Sequence, residues 1–234
     1  MELSKLKHPD LEALSKEYKL KALLPTGSTE QHGPHLPFGT DAIISDETCK
    51  AVSKNRNDIL LLPLISYGYS EHHMGFPGTI TLRFETVEKI VKDIGYSLNR
   101  HNIKRFIVAN GHGGNKEPAF KALSELKVEK PEMDISIFNI ENQDFISRKA
   151  GYHANDYETS VMLYLKPELV DMTKACKEFP LKMTRTTYDL RRYLKSGVWG
   201  DPTNATAEKG KGYFNVMVSA LTEHIDSETP SWEQ

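Results

Sequence analysis

The chain contains the stretch Lys21-Ala-Leu-Leu24-Pro-Thr-Gly-Ser-Thr-Glu30-Gln-His32-Gly-Pro-His35-Leu-Pro-Phe-Gly-Thr-Asp41, a short apolar run followed by a polar loop rich in glycine and proline. An apolar run bounded by turn residues is typical of a buried strand. Similar runs occur at residues 59–65, 105–109 and 135–140, and helical periodicity occurs at residues 42–55, 86–101, 117–127, 158–165 and 205–225. Strands that alternate with helices predict an α/β fold of three layers, α/β/α, around a mainly parallel central sheet.

The composition is that of an ordinary globular protein, with 38% hydrophobic and 26% charged residues among 234. This length suffices for one sizeable core, so we expect a single domain over residues 1–234. The net charge of −2 gives no general attraction for nucleic acid or an anionic membrane, and neither is expected as a partner. Two cysteines outside any paired motif, the lack of a long apolar run and a polar segment at residues 1–10 predict a cytoplasmic protein without a membrane span or signal peptide.

Polar clusters directly after the predicted strands are the first candidates for a functional site, because ligands of open α/β sheets bind beyond the carboxyl ends of the strands. In the first cluster, Glu30 and His32 are two residues apart and project to the same side of an extended chain. Asp41 stands at the predicted start of a helix. Imidazole and carboxylates together are a usual ligand set for zinc, manganese and iron. The alternative is that Asp41 only caps the helix and that His32 is a surface residue.

The second cluster is Asn110-Gly-His112-Gly113-Gly114-Asn115, after the third strand. Its glycines allow a tight turn and a close approach to a ligand, and His112 stands at the strand tip. A glycine loop at a helix start can also bind phosphate. This one lacks the lysine and the spacing of a P-loop, which favours a metal ligand at His112.

The third cluster contains His153 and Glu158. Glu158 shares one helical face with Val161 and Met162, and a carboxylate on an apolar face is costly to bury unless it is paired or bound to a metal. Glu158 is therefore either exposed at the first turn of its helix or a ligand. His153 lies five residues earlier and can face the same cavity.

Two further segments attract attention because they are long and irregular. Residues 67–79 follow the second strand and are interpreted as a wall of the substrate pocket, in which the adjacent His72 and His73 are expected to point in different directions. Residues 173–206 lack clean periodicity and predict a long ordered loop with a role in function or subunit contact. The residues predicted to bind substrate are Tyr69, Ser70, His73, Gly113 and Gly114.

Together these motifs resemble the creatininase (creatinine amidohydrolase) family. The resemblance rests on the Gly27-Ser-Thr-Glu-Gln-His-Gly-Pro-His-Leu-Pro stretch with Asp41, on Phe76-Pro-Gly-Thr, on the Asn110–Asn115 cluster and on His153 followed by Glu158-Thr-Ser. Gly197-Val-Trp-Gly-Asp-Pro202 and Ala205-Thr-Ala-Glu-Lys-Gly210 are also similar to the family. The motifs occur in order and extend from about residue 20 to about residue 225.

The resemblance implies a Rossmann-like α/β/α fold, two divalent metal ions per chain (zinc, manganese or iron) and a homo-oligomer, often a hexamer. It also implies hydrolysis of carbon–nitrogen bonds other than peptide bonds, in a small-molecule amide substrate. The metal ligands that it implies are Glu30, His32, Asp41, His112 and Glu158. Asp41 would bridge the two ions, and His153 would lie near the substrate.

Two positions depart from the family pattern. The creatinine-hydrolysing enzymes carry a Tyr-Glu pair where this chain has Gly113-Gly114, and relatives usually have glycine at Asn155. The glycine pair argues against creatinine as the substrate. Related branches include a formamide hydrolase of flavin and deazaflavin biosynthesis and a peptidase that trims a mycofactocin precursor. The Glu-Gln-His-Gly-Pro motif is closer to the peptidase-like and uncharacterised branches.

The predicted reaction is the hydrolysis of an amide by a hydroxide bound between two metal ions. The substrate is a cyclic amide, a formamide or a small peptide-like molecule, and a formamide hydrolase is the nearest alternative. His153 and Glu158 are the predicted catalytic residues, with His153 carrying a proton to the leaving nitrogen. A non-catalytic regulator that binds a nucleotide or phosphate at residues 111–115 is an alternative of another class. A third is a degenerate subunit, against which the presence of all five ligands argues.

Overall fold

The central feature of the fold is a parallel sheet of four strands. The structure is a computed structural model that describes residues 1–140, 151–180 and 189–227. The strands lie in the order β2-β1-β3-β4 and every neighbouring pair is parallel. Their bounds are β1 Lys21–Thr26, β2 Ile59–Leu61, β3 Arg105–Asn110 and β4 Asp134–Asn139. Since the strands are parallel, their carboxyl ends meet at one edge.

Helices cover both faces of the sheet. Their bounds are α1 His8–Glu17, α2 Thr40–Ser53, α3 Phe84–Arg100, α4 Lys116–Glu129, α5 Asp156–Leu165 and α6 Ala207–Asp226. Helices α3 and α4 pack on one face together with α1, and α2, α5 and α6 pack on the other. The described part of the chain therefore has the predicted three layers.

Burial on both faces explains why the strands are almost continuously apolar. In β1, Leu23 packs into the core beneath α2, α5 and α6, while Ala22 and Leu24 pack into the core beneath α3 and α4. In β3, Ile107 likewise packs beneath α2, α5 and α6, whereas Phe106 and Val108 pack beneath α3 and α4. Two separate apolar cores thus hold the sheet between its helices, and the strand tips stay fixed.

Helices α5 and α6 approach each other closely at Gly210. A Cβ at this position would lie 1.8 Å from the carbonyl oxygen of Ser160, a distance that no side chain can occupy. The glycine therefore permits the contact that presses α6 against α5. This packing fixes α5, whose first turn carries Glu158.

A second, smaller sheet pairs β5, Gly151–His153, with β6, Trp199–Gly200, in antiparallel fashion. The segment that we predicted as a long loop, residues 173–206, supplies β6 and three short 3-10 turns, while its residues 181–188 lie outside the described ranges. In this segment Gly197 adopts a φ of +86°, which favours glycine.

The sequence predicted the four main strands and five of the helices, with shifts of a few residues at their ends. The second strand was predicted to reach residue 65 but ends at Leu61, because Pro63 has no N–H to continue the ladder. Helix α1 was not predicted, since none of its residues is fully buried and it contacts the core through the partly buried Leu11 and Leu14. No helix among the described residues is long and apolar enough to cross a membrane.

Candidate active site

Five predicted ligands meet at the carboxyl edge of the main sheet. The loop after β1 carries Glu30 and His32, the first turn of α2 carries Asp41, the tip of β3 precedes His112, and the first turn of α5 carries Glu158. All five side chains are buried. Glu158 is therefore not exposed at its helix end, and its role as a ligand stays a prediction.

Asp41 lies at the centre of this group. Its Oδ1 is 2.9 Å from Nε2 of His32, and its Oδ2 is 2.9 Å from Nδ1 of His112. Glu158 Oε1 lies 3.7 Å from the same nitrogen of His32, and Glu30 Oε2 lies 3.4 Å from Nε2 of His112. The two oxygens of one carboxylate thus face two different sets of side chains.

Glycine and serine residues determine how Asp41 reaches this position. A Cβ on Gly27 would lie 2.5 Å from the Cα of Ala42, so only glycine allows the β1 loop and the start of α2 to come this close. Ser28 Oγ then donates a hydrogen bond of 2.7 Å to Asp41 Oδ2. The Asp41 carboxylate is therefore fixed by Ser28 in addition to its contacts with the two histidines.

Main-chain carbonyls orient the two histidines. His32 Nδ1 donates to the carbonyl of Glu30 at 3.1 Å, and His112 Nε2 donates to the carbonyl of Tyr69 at 3.0 Å. Each imidazole consequently directs its other nitrogen toward Asp41. A metal-binding histidine usually has such a partner on its second nitrogen, which fixes the tautomer and the ring orientation.

The charges of the group are strongly coupled. Burial opposes charge on His32, but the Asp41 and Glu158 carboxylates outweigh it and raise its pKa well above 6.5. Burial likewise opposes charge on His112, and Glu30 with Asp41 nevertheless raises its pKa to about 10. Burial disfavours a charged Asp41, yet the two imidazoles hold its pKa well below 3.8. For Glu30, burial dominates and raises the pKa to about 7.

These residues fit divalent cations. Among the described residues, Glu30, Asp41 and His112 form one group whose ligand atoms lie within 4.8 Å of one another, and His32, Asp41 and Glu158 form another. Glu30 Oε2 is buried and has no hydrogen-bond partner within the described part of the chain, which suits an oxygen that binds a cation. Imidazole and carboxylate donors suit zinc, manganese and iron alike.

Asn155, where the family pattern has glycine, has a structural role at the start of α5. Its Oδ1 accepts from the N–H of Glu158 at 3.1 Å, and its own N–H donates to Glu158 Oε2 at 3.2 Å. This capping box satisfies two helix-end donors and engages one oxygen of Glu158. The other oxygen, Oε1, remains on the side of His32.

His153 lies on β5 beside the two groups. Its Nδ1 is 3.7 Å from Glu30 Oε1, and its Nε2 is 2.7 Å from the carbonyl oxygen of Gln31. Burial, together with the nearby His32, holds the pKa of His153 well below 6.5, so the ring is neutral. A neutral imidazole here can accept a proton from a molecule in the adjacent cavity.

Gln31 is a site residue that the sequence reasoning missed. Its side-chain Nε2 lies 2.8 Å from Nδ1 of His73 and 3.1 Å from the carbonyl oxygen of Gly197. These partners come from segments far apart in the sequence, and so no local pattern indicates the contact. The only available signal was its place between Glu30 and His32.

A cavity of about 250 Å³ adjoins the group. Its wall consists of Glu30, His72, His73, His112, Gly113, Gly114, Tyr152, His153, Leu190 and Trp199. The rings of Tyr152 and Trp199 lie 4.8 Å apart on the small sheet and form an aromatic side of the cavity. One side of the space is therefore lined by candidate ligands and the other by apolar surface.

The residues predicted to bind substrate separate into two sets. His73, Gly113 and Gly114 line the cavity, whereas the described cavity wall contains neither Tyr69 nor Ser70. Instead, the Tyr69 carbonyl oxygen and Ser70 Oγ contact His112 Nε2 at 3.0 and 3.2 Å. These two residues support the candidate ligand rather than form the cavity surface.

The expectation that His72 and His73 point in different directions was wrong. Both lie in a 3-10 turn, their ring centroids are 4.3 Å apart, and both line the cavity. His72 also stacks on His112, with ring centroids 6.0 Å apart and nearly parallel planes. Adjacent side chains point in different directions in longer regular elements, but this rule does not apply to so short a turn.

Comparisons with known proteins agree with this architecture. The family model described as creatinine amidohydrolase matches residues 4–225. The chain belongs to the creatininase family. A mycofactocin precursor peptide peptidase of Mycobacterium ulcerans is 35% identical, over 89% of this chain and 85% of that protein. A creatinine amidohydrolase of Pseudomonas putida is 31% identical, over 89% of each. The solved structure of a manganese creatininase has a TM-score of 0.87 and 26% identity, over 98% of each chain.

Membership of the creatininase family confirms the resemblance and the fold that were inferred from the motifs. It also confirms the prediction of a hydrolase of carbon–nitrogen bonds, at the level of the family. A phosphate-binding regulator built on the glycine loop gains no support, since residues 113–115 form a turn that brings His112 to the candidate ligands.

Proposed function

We propose that this protein hydrolyses an amide bond of a peptide-like substrate and that it holds two divalent cations. The ligands are Glu30, His32, Asp41, His112 and Glu158. The observation that carries the proposal is the position of Asp41, whose two oxygens each lie 2.9 Å from a different histidine. A carboxylate placed between two ligand groups is suited to bridge a pair of cations.

Divalent cations in such a centre lower the pKa of water and polarise a carbonyl oxygen, the two requirements for cleaving an amide near neutral pH. The chain itself supplies the proton transfer. His153 directs Nδ1 toward Glu30 and the cavity, and it is neutral because it is buried. It accepts a proton from the attacking water at Nδ1 and returns that proton to the leaving nitrogen.

The cavity supports a peptide-like substrate over a compact ring. Gly113 and Gly114 add no side chain to the wall, and the rings of Tyr152 and Trp199, tilted by 55° to each other, offer aromatic surface to a substrate. The similarity to curated peptidases of mycofactocin precursors agrees with this choice. Cyclic amides and formamides are the competing substrate classes, and zinc, manganese and iron are the competing cations.

The experiment that tests the proposal measures metal content and hydrolysis together. Protein purified without chelator is analysed by mass spectrometry for metals, and we expect about two divalent ions per chain. The same preparation is then incubated with short peptides, cyclic amides and formamides. Cleavage of peptides supports the full proposal, whereas cleavage of only another class replaces the substrate and keeps the chemistry. A content of one ion or none, or no cleavage of any class, contradicts it.

Two substitutions sharpen the test, each with the same change in charge. Asp41→Asn removes the proposed bridge, and both the metal content and the hydrolysis should be lost. Asp46→Asn is the matched control, because Asp46 lies on the same helix and pairs with Lys50 at the surface. Retention of two ions and full turnover in Asp41→Asn would show that the ligands have been misassigned.

A further inference from the structure

We propose that Gln31 is a positioning residue that fixes the location of the proton on both His73 and His153. Its side chain acts on His73, and its main-chain carbonyl acts on His153. As a result, one histidine presents an N–H to Glu30 and the other presents a free lone pair. The inference rests on the proposed function for its catalytic meaning, although the proton positions can be measured without it.

The orientation of the Gln31 amide is determined by its neighbours. Gln31 Oε1 accepts a hydrogen bond of 2.9 Å from the N–H of Gly33, which identifies that atom as the oxygen. Nε2 donates to the carbonyl oxygen of Gly197 at 3.1 Å, which takes one of its two hydrogens. One hydrogen of the amide remains, and two histidine nitrogens lie near it, His73 Nδ1 at 2.8 Å and His153 Nε2 at 3.1 Å.

That second hydrogen goes to His73, because Nε2 of His153 itself donates to the Gln31 carbonyl oxygen and cannot accept from the amide. Gln31 Nε2 lies 2.8 Å from Nδ1 of His73, the shortest of its contacts, so Nδ1 must be an acceptor without a proton. A neutral imidazole then carries its proton on Nε2, which lies 3.4 Å from Glu30 Oε1. A chain of donors therefore runs from Gln31 through His73 to the Glu30 carboxylate.

His153 is fixed by the backbone of the same residue. Its Nε2 lies 2.7 Å from the Gln31 carbonyl oxygen, and two acceptors cannot approach so closely unless a proton lies between them. The proton of His153 is therefore on Nε2, and Nδ1 is free. This nitrogen lies 3.7 Å from Glu30 Oε1, beside the cavity.

The surroundings hold Gln31 in a single position. Gln31 is 6% exposed, and its N–H donates to Thr79 Oγ1 at 3.1 Å. At Gly197, which has a φ of +86°, a Cβ would lie 2.0 Å from Gln31 Oε1, so the loop comes this close only because the residue is glycine. A buried amide with all its partners defined has no low-energy alternative orientation.

Two consequences follow for the proposed reaction. The N–H of His73 faces Glu30 Oε1 at 3.4 Å, while Oε2 lies on the side of His112. The free Nδ1 of His153 is available to take up a proton. Outer partners of this kind usually change metal affinity or activity by about 10–100-fold when they are removed.

The test is nitrogen-15 magnetic resonance of histidine-labelled protein loaded with zinc, which is diamagnetic. In the wild type, both His73 and His153 should show an unprotonated Nδ1 and a protonated Nε2. In Gln31→Glu the donor becomes an acceptor, so the proton of His73 should move to Nδ1 or a second proton should bind. His153 should keep its proton on Nε2 in that variant, because the main-chain oxygen at 2.7 Å still accepts it and the new carboxylate beside it is also an acceptor.

Thr79→Val is the matched control, since it removes the hydrogen bond to the Gln31 main chain and leaves the amide in place. It should leave His73 as in the wild type. For cleavage of a substrate found in the screen, Gln31→Glu should lower kcat by about 10–100-fold with a smaller change in KM.

A protonated Nδ1 on either histidine of the wild type overturns the proposal, even if Gln31→Glu does not fold. So does a His73 signal that Gln31→Glu leaves unchanged. Failure of the proposed function has a different signature, because a protein without amide hydrolysis could still show the expected proton positions.

Discussion

Ser28 Oγ donates a hydrogen bond of 2.7 Å to Asp41 Oδ2, and the serine side chain is completely buried behind the carboxylate. The bond leaves Asp41 fixed before any cation arrives. It also satisfies part of the acceptor capacity of an oxygen that already faces His112. The proposed bridge therefore has a support that belongs to neither ligand group.

We expect Ser28→Ala to weaken the binding of divalent cations by about 10–100-fold, because Asp41 loses its outer partner and gains freedom to rotate. Competition with a chelating dye measures this affinity. Ser45→Ala is the matched control, since Ser45 is equally buried but donates to the carbonyl oxygen of Ala109. Equal affinities in the two variants would contradict a role for Ser28 at Asp41.

Cation binding should release protons at neutral pH. The metal-free protein has a His112 with a pKa of about 10 and a His32 with a pKa well above 6.5, so both are charged at pH 7. A cation requires neutral imidazoles, and about two protons should leave, with a further fraction from Glu30 and its pKa of about 7. Calorimetry in two buffers of different ionisation enthalpy counts them. Binding without proton release would show that these histidines are neutral or are not ligands.

The same shifts determine how the metal-free protein depends on pH. Glu30 and Asp41 overcome the cost of burying a charged His112 and raise its pKa from 6.5 to about 10. Because the pKa of His112 is raised, its charged form contributes fully to the free energy of unfolding below pH 6.5. This contribution is lost as the pH rises toward 10. Urea unfolding across this range should show the decline in the metal-free protein and a smaller one when cations replace the protons.

Gly114→Ala should disturb both the stability and the centre. The added Cβ would lie 2.0 Å from the Tyr69 carbonyl oxygen and 2.6 Å from Nε2 of His112, so the backbone or the histidine must move. We expect a loss of about 1–3 kcal/mol in the free energy of unfolding, together with weaker cation binding. In Gly39→Ala, a control in the β1 loop, the nearest atom is 3.8 Å away, and cation binding should not change. Wild-type cation affinity in Gly114→Ala would mean that His112 tolerates the shift.

Replacing glycine by alanine should lower the free energy of unfolding at one position of α6 and raise it at another. Gly210→Ala places a Cβ 1.8 Å from the Ser160 carbonyl oxygen and should cost about 1–3 kcal/mol. In Gly212→Ala the added Cβ meets no described residue within 4 Å, and the change should stabilise the helix by about 0.5–1 kcal/mol. Urea unfolding measures both. Similar values for the two variants would show that α5 and α6 do not pack as closely as described.

The sequence predicted the sheet because each strand is a continuous apolar run, as double-sided burial requires. It placed Glu30, Asp41 and His112 near one another because parallel strands end at one edge, and the structure brings them together. Helix α1 and the pair β5–β6 were beyond such reasoning. The first has no fully buried residue and hence only a weak apolar pattern, and each strand of the second has at most three residues, whose pairing joins distant segments.

The outer contacts of the site were equally hidden from the sequence. Gln31 reaches His73 and Gly197 across 42 and 166 residues, and a periodic pattern carries no information over such separations. Tyr69 was expected at the substrate because of its position after a strand, but it is its main-chain oxygen that matters, and any residue has one. A contact made by a backbone atom does not depend on the residue type, so the sequence does not indicate it.

The aromatic wall and the proposed cation ligands belong to different secondary-structure elements. Tyr152 and Trp199 stand on the small antiparallel sheet, whereas Asp41, His112 and Glu158 are carried by the helices and strand tips of the main body. Substitutions at Tyr152 and Trp199 can thus alter which molecules are admitted, provided that His153, which lies on the same small sheet, is kept. This separation offers a physical explanation of how one fold can acquire substrates as different as a small ring and a peptide.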